Sequence, residues 1–262
     1  VKRITGNIAL IILISYALIA LFTELGWIGS TLNSHISAAH QGISFAHPLG
    51  TSALGLDFMA LFFHAVRALF AQALPGAALA LAIGTLLGIA AGMQSGSWLD
   101  RLVLTASDVF DGVPGYLLLV AFAGVFRNVP GALIFLLAAS FWPSVARVTR
   151  IEVQRMSALP WLDAAKLLGL NPLQLITRQY LPVLKPVLWA AFLVTVADCV
   201  KAQVVLSFLG LDSAVTWSFG TLIAEGSYDM VAFKFNALLV GCTGLLLFLL
   251  ALHAQIRRIT HY

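Results

Sequence analysis

Six apolar stretches, at residues 4–22, 73–93, 102–126, 131–148, 186–208 and 231–253, hold little of the chain's charge, which collects between them. Each approaches or exceeds the length that a helix rising about 1.5 Å per residue needs to cross about 30 Å of hydrocarbon. A chain built this way cannot cover itself with polar surface in water. Only 10% of its 262 residues are charged and 60% are hydrophobic, whereas a soluble domain carries about 25% charged residues; the mean hydropathy is +0.96. The pattern predicts an all-α integral membrane protein with six transmembrane helices. Lys2-Arg3 before the first apolar stretch resembles the start of a signal peptide. No small-residue cleavage site follows, and Glu24-Leu25-Gly26-Trp27 reads as an exit at the membrane interface, so a retained first span is expected.

Charge sets the orientation. With the amino terminus inside and six crossings, the inner segments hold Lys2, Arg3, Arg101, Arg147, Arg150, Arg155, Lys166, Arg178, Lys185, Arg257 and Arg258. Those are eleven of the fifteen basic residues; Arg67 and Arg127 fall outside, and Lys201 and Lys234 fall within spans. Basic residues favour the cytoplasmic side, so both termini are expected there. The formal charge of +4 is therefore a topology signal rather than a sign of nucleic-acid binding. Cys199 and Cys242 sit in apolar runs and read as small buried hydrophobes rather than a disulfide or a metal pair.

The segments between and within the spans carry the chemistry. Residues 23–57 read as an external segment. Its His35, His40 and His47 lack tight ligand spacing and are taken as loop histidines, so no metal site is expected. Residues 58–72, with His64 and Arg67, read as an amphipathic helix along the outer interface. Gly84, Gly88 and Gly92 recur every four residues on one helix face, where small residues let two backbones approach closely in lipid. Asp108 and Asp111 share a face ahead of Pro114, which should kink their helix. Intramembrane carboxylates belong at a wet cavity or beside a cation, so these two stand either on a transport path or in local structure near the cytoplasmic mouth. Asp198 and Lys201, three apart, read as a structural ion pair or as a substrate contact. Residues 209–230, with Trp217, Glu225 and Asp229, read as a second external segment.

The longest polar interruption lies between the fourth and fifth apolar stretches. Asp163-Ala164-Ala165-Lys166-Leu167-Leu168-Gly169 reads as a short amphipathic helix ended by a glycine. Asn171-Pro172 and a further helical turn lead to Leu181-Pro182, with Arg147, Arg150, Arg155, Lys166, Arg178 and Lys185 around the whole. Such a segment suits a knob at the membrane surface that a soluble partner grips, or a basic interfacial loop.

Asp163-Ala164-Ala165, Gly169 and Leu181-Pro182 resemble the Glu-Ala-Ala…Gly…Leu-Pro coupling motif of bacterial ABC importer permeases. His47-Pro48-Leu49-Gly50-Thr51, Leu54-Gly55 with Asp57, and Leu206-Ser207-Phe208-Leu209-Gly210-Leu211 resemble the peptide/nickel branch, in particular its second, C-type permease subunit. Asp163 stands where the family has Glu, Gln179-Tyr180 precede Leu181-Pro182 where an isoleucine is usual, and Leu56 replaces an arginine. The resemblance covers roughly residues 48–258. It implies the type I importer permease fold, with an N-terminal helix and external segment at 1–68 and a permease domain at 69–262 whose coupling loop covers about 149–185. It also implies a place in the bacterial inner membrane and half of a path for di- or oligopeptides, with nickel or metal chelates as the alternative cargo. The partners implied are a second permease subunit, two cytoplasmic ATPases that hold ATP and Mg, and an external solute-binding protein; membrane lipid surrounds the spans.

No Gly-x-x-x-x-Gly-Lys-Ser/Thr loop is present to bind ATP in that manner, and no Gly-x-Ser-x-Gly or His-Glu-x-x-His motif points to an enzyme. The chain is expected to bind no cofactor and to have no catalytic residues of its own. A different class, an ion-coupled secondary transporter, would use Asp108, Asp111, Asp198 and Lys201 to hold its ion. A structural membrane protein without a path is the remaining reading.

Overall fold

The computed structural model describes residues 2–29, 39–112, 115–126, 129, 131–167, 169–212 and 217–260, with side chains except at 2–5, 115, 163, 164, 166 and 260. His35, Pro114, Arg127, Pro130 and Leu168 lie outside the described residues, as do the side chains of Lys2, Arg3, Asp163, Ala164 and Lys166. Ten α-helices are described: α1 Lys2–Glu24, α2 Phe58–Met93, α3 Trp98–Gly112, α4 Gly115–Phe126, α5 Ala132–Ser157, α6 Pro160–Leu167, α7 Pro172–Leu175, α8 Leu181–Phe208, α9 Phe219–Asp229 and α10 Asn236–Thr260.

Five stretches are long and apolar enough to cross a membrane unaided, and α3 with α4 forms a sixth candidate bent by 84°. Helix direction decides that this broken pair crosses. Cβ atoms added at Gly76, Gly84, Gly88 and Gly92 would meet Leu137, Val145, Thr149 and Val153. The matching positions rise together, so α2 and α5 run parallel, and the chain between them must return across the bilayer. At the other edge α1 runs antiparallel to α10: Tyr16 Oη donates to the Gly244 carbonyl at 2.7 Å, and Gln255 Nε2 donates to that of Gly6 at 2.7 Å. The first described helix thus starts on the side where α10 ends, and six crossings result.

The α2–α5 seam rests on the glycine stripe. A Cβ at Gly84 would lie 2.6 Å from Val145 Cβ and 2.7 Å from the Trp142 carbonyl, and one at Gly92 would lie 2.7 Å from Val153 Cβ. Ala73, Ala77 and Ala80, all fully buried, continue the small-residue surface toward the outer end. Dispersion and shape drive helix association in lipid, and this close approach supplies both.

Three elements differ from the sequence reading. Residues 58–72 are not a separate interfacial helix. Asp57 caps the start of α2 by accepting from Met59 N at 2.8 Å, and the helix continues for 36 residues past Pro75. That is roughly 54 Å, more than one bilayer crossing requires. Leu61, Ala65, Val66 and Leu69 are buried against neighbouring helices, so this face meets protein rather than the interface. The helix also runs straight through position 68, where the sequence reading divides an N-terminal segment from the permease domain. Residues 209–230, read as an external segment, hold a packed helix. Ser218 and Thr221 form a capping box for α9, whose Phe219 and Leu222 are fully buried. Cβ atoms on its Gly220 and Gly226 would collide with the backbones of α8 and α10. The last span begins at Asn236, not at 231, because a 3-10 turn at Met230–Ala232 and a left-handed Phe233 (φ 57°) still belong to the outer turn. Lys234 accordingly lies in that turn and not within a span, whereas Arg147 and Arg150 lie within α5.

The motifs at 47–51 and 54–57 fold into one outer turn. His47 Nδ1 lies 3.2 Å from Asp57 Oδ2, Thr51 pairs with Asp57 as an isolated bridge, and Gly50 and Gly55 take positive φ.

Candidate functional site

The polar interruption after α5 folds into a compact knob. Helix α5 ends at Ser157, and α6 lies between that end and the start of α8. Gly169 adopts φ +80°, a conformation in which a β-branched residue is strained, and so turns the chain out of α6. Asn171 and Gln174 form a capping box for α7 with Pro172 in its first turn, and a π-helical turn, Ile176–Tyr180, runs into α8. The base of the knob is closed by Ser157 Oγ and Tyr180 Oη at 2.8 Å.

The knob has two faces. Leu162 and Ala165 point inward, buried in a cluster with Ile89, Val153, Met156, Leu175, Tyr180 and Leu184. Ala165 therefore seats α6 against the membrane domain of its own chain. Outward, Leu167 is 90% exposed and Leu173 69%, with Trp161 partly exposed beside them. These three apolar side chains were not singled out in the sequence; the amphipathic pattern of α6 was the signal for Trp161 and Leu167, and Leu173 on α7 had none. Leu181 is half-buried and Pro182 exposed where α8 begins.

Two ion-paired groups lie apart from the knob, one between α3 and α5 and one on α8. Arg147 on α5 reaches two carboxylates of α3: Nη2 to Asp108 Oδ1 at 2.8 Å and Nη1 to Asp111 Oδ2 at 2.5 Å. On α8, Lys201 Nζ lies 2.6 Å from Asp198 Oδ1. All five side chains remain at least one third exposed in the isolated chain. Charges within spans avoid lipid, so the surface that carries them faces protein or water.

Sequence reasoning missed two groups. Asp100 is buried at the start of α3 and receives a two-pronged bond from Arg150, Nε to Oδ1 at 2.5 Å and Nη2 to Oδ2 at 2.8 Å. Between α2 and α8, Gln203 Nε2 donates to Gln72 Oε1 at 2.6 Å and to the Ala68 carbonyl at 3.0 Å. Gln72 and Ser207 both donate to Asp212, tying α2 to α8 and to the turn after it. Apart from Ser207 and Asp212, five residues apart, these partners lie 50 to 140 residues apart and leave no spacing signal.

The family model described as the binding-protein-dependent transport system inner membrane component matches residues 84–259. The chain is 28% identical over 193 residues to the glutathione transport system permease protein of Pectobacterium atrosepticum, covering 73% of this chain and 64% of that one. It is 26% identical over 231 residues to a protein of Brucella suis named as a peptide transport system permease, covering 86% and 76% of the two chains. A like-named protein of Brucella abortus is 26% identical over 226 residues, covering 84% and 74%. The chain thus spans just under two thirds of the length of the first of these relatives and about three quarters of the other two.

Proposed function

The chain belongs to the family of binding-protein-dependent transport system inner membrane components, and we propose on that footing that it is one permease subunit of an ATP-driven importer, forming half of a path for di- or oligopeptides. The partners of this reading are a second permease, two cytoplasmic ATPases that carry ATP and Mg, and an external solute-binding protein. The observation that carries it is the knob: two short helices, α6 and α7, between the spans, on which Leu167 is 90% and Leu173 69% exposed and Trp161 is partly exposed. A groove on an ATPase would cover them. Peptide cargo is favoured over metal chelates by the relatives named for peptide and glutathione transport. The α3–α5–α8 surface with Asp108, Asp111, Arg147, Asp198 and Lys201 is the side that meets the second permease and lines the path. The carboxylates that an ion-coupled carrier would need are engaged in these ion pairs. The excess of basic residues counted on the inner side supports a cytoplasmic location for the knob and both ends of the chain in this reading, in a bacterial inner membrane.

Affinity purification of the tagged chain tests the partner set. The parent brings down the second permease and two ATPase chains. Ala165→Trp has no room for an indole at a position 7% exposed, and Gly169→Val forces a left-handed conformation costing about 1–2 kcal/mol. Both variants are expected to keep the second permease and lose the ATPases along with uptake. Normal ATPase recovery and normal uptake in both would contradict the assignment.

A further inference from the structure

We infer that Asp100, Arg147 and Arg150 are positioning residues that carry motion of the cytoplasmic knob into α3, the inner half of the broken crossing. The inference rests on the importer reading above. Helix α5 is the shaft: its inner end leads through Ser157 directly into the knob, and Ser157 is tied to Tyr180 at the start of α8. Arg147 and Arg150, three apart on α5, lie on nearly the same side of it. They grip α3 at two levels, Arg150 at Asp100 and Arg147 at Asp108 and Asp111.

The lower grip is the firmer. Asp100 and Arg150 side chains are only 4% and 18% exposed, and the bond is two-pronged. Gly96 N also donates to Asp100 Oδ2 at 2.8 Å. Arg150 Nη1 donates to Gln154 Oε1 at 3.3 Å, and Gln154 Nε2 donates to Ser95 Oγ at 2.8 Å. The whole turn between α2 and α3 is thereby fastened to α5. Paired guanidinium–carboxylate bonds fix direction as well as distance, so they resist the sliding that an apolar contact permits. Helix α3 is also held to α5 by packing, with Val103 and Phe110 in a cluster with Trp142 and Ala146 and the Phe110 ring edge-on to Trp142 at 5.8 Å. A displacement of α5 therefore takes α3 with it, and with α3 the exposed carboxylates at Asp108 and Asp111.

The test uses the complete assembly in lipid vesicles and needs no identified substrate. Val109 on α3 is 65% exposed; Val109→Cys, in a background with Cys199→Ala and Cys242→Ser, is labelled by a water-soluble maleimide. In the parent the labelling rate is expected to change about tenfold between the nucleotide-free and vanadate-trapped states. Arg150→Met should erase that change while ATP hydrolysis per assembled complex persists, and the exchange of Asp100→Arg with Arg150→Asp should bring part of it back. Because Arg150→Met breaks a buried pair and can prevent assembly, Arg147→Gln at the exposed grip provides an independent variant with a reduced change. An undiminished change in both single variants, or a loss that only follows the amount of assembled complex, overturns the inference. A parent that takes up peptide with ATP yet shows no change at Val109→Cys also overturns it and leaves the importer reading standing.

Discussion

Gly88→Leu is expected to lower the stability of the purified assembly by about 3 kcal/mol, at the upper end of ordinary overpacking, and to abolish uptake. A Cβ at Gly88 would lie 2.6 Å from the Ala146 carbonyl oxygen and 2.7 Å from Thr149 Cβ. A side chain can rotate away from such a clash, but a helical carbonyl cannot, so α2 and α5 must separate. Separation at one point is felt along the seam, because Gly84 and Gly92 are as closely opposed one turn to either side. Gly124→Leu on α4 is the control, since a Cβ there meets nothing within 4 Å. Thermal unfolding of the two variants, set beside uptake, reads the difference. Equal stability and transport in Gly88→Leu and the parent would mean that this glycine face supports no close packing.

The second large effect belongs to α8. Lys201→Met strands Asp198, whose partner now sits at 2.6 Å. An isolated charge at the bilayer centre costs about 2.5–3.5 kcal/mol on insertion scales. The pair is 44% and 33% exposed, and solvent screening reduces such costs, so a loss of about 2 kcal/mol is expected. Adding Asp198→Asn should recover much of it, because the double variant leaves no unpaired charge. A double variant that is stable but inactive, or altered in substrate range, assigns Lys201 to the path; one as unstable as Lys201→Met alone rules out the ion pair as a source of stability. Asn at Asp108 or Asp111 should spare folding, since these side chains are 73% and 51% exposed.

What could be read from the chain before its fold follows from range. The glycine stripe and the Asp198–Lys201 pair are local patterns, because helix geometry places residues three or four apart on one face. The crossings were legible because lipid demands long apolar runs. The grip on Asp100 was not, because Arg150 lies 50 residues away and Asp100 stands among the polar residues of a short turn. The packing of helix α9 was hidden for a related reason. Its polar composition suits an exterior segment, but Gly220 and Gly226 let it press against α8 and α10. The boundary near residue 72 failed because an apolar face meeting protein has the same periodicity as one meeting the interface. In the knob, Gly169 was readable as a turn, whereas the inward direction of Ala165 depends on a cluster drawn from α2, α5, α7 and α8.

On the proposed function, this chain forms part of an ATP-driven path for peptides. The most direct test reconstitutes the tagged chain with its co-purified permease, ATPases and binding protein in sealed vesicles and follows entry of a labelled peptide mixture. Uptake should require ATP on the ATPase side and the binding protein on the other, and should survive ionophores that collapse proton and sodium gradients. Uptake that proceeds without ATP and disappears with the ion gradient would contradict the account.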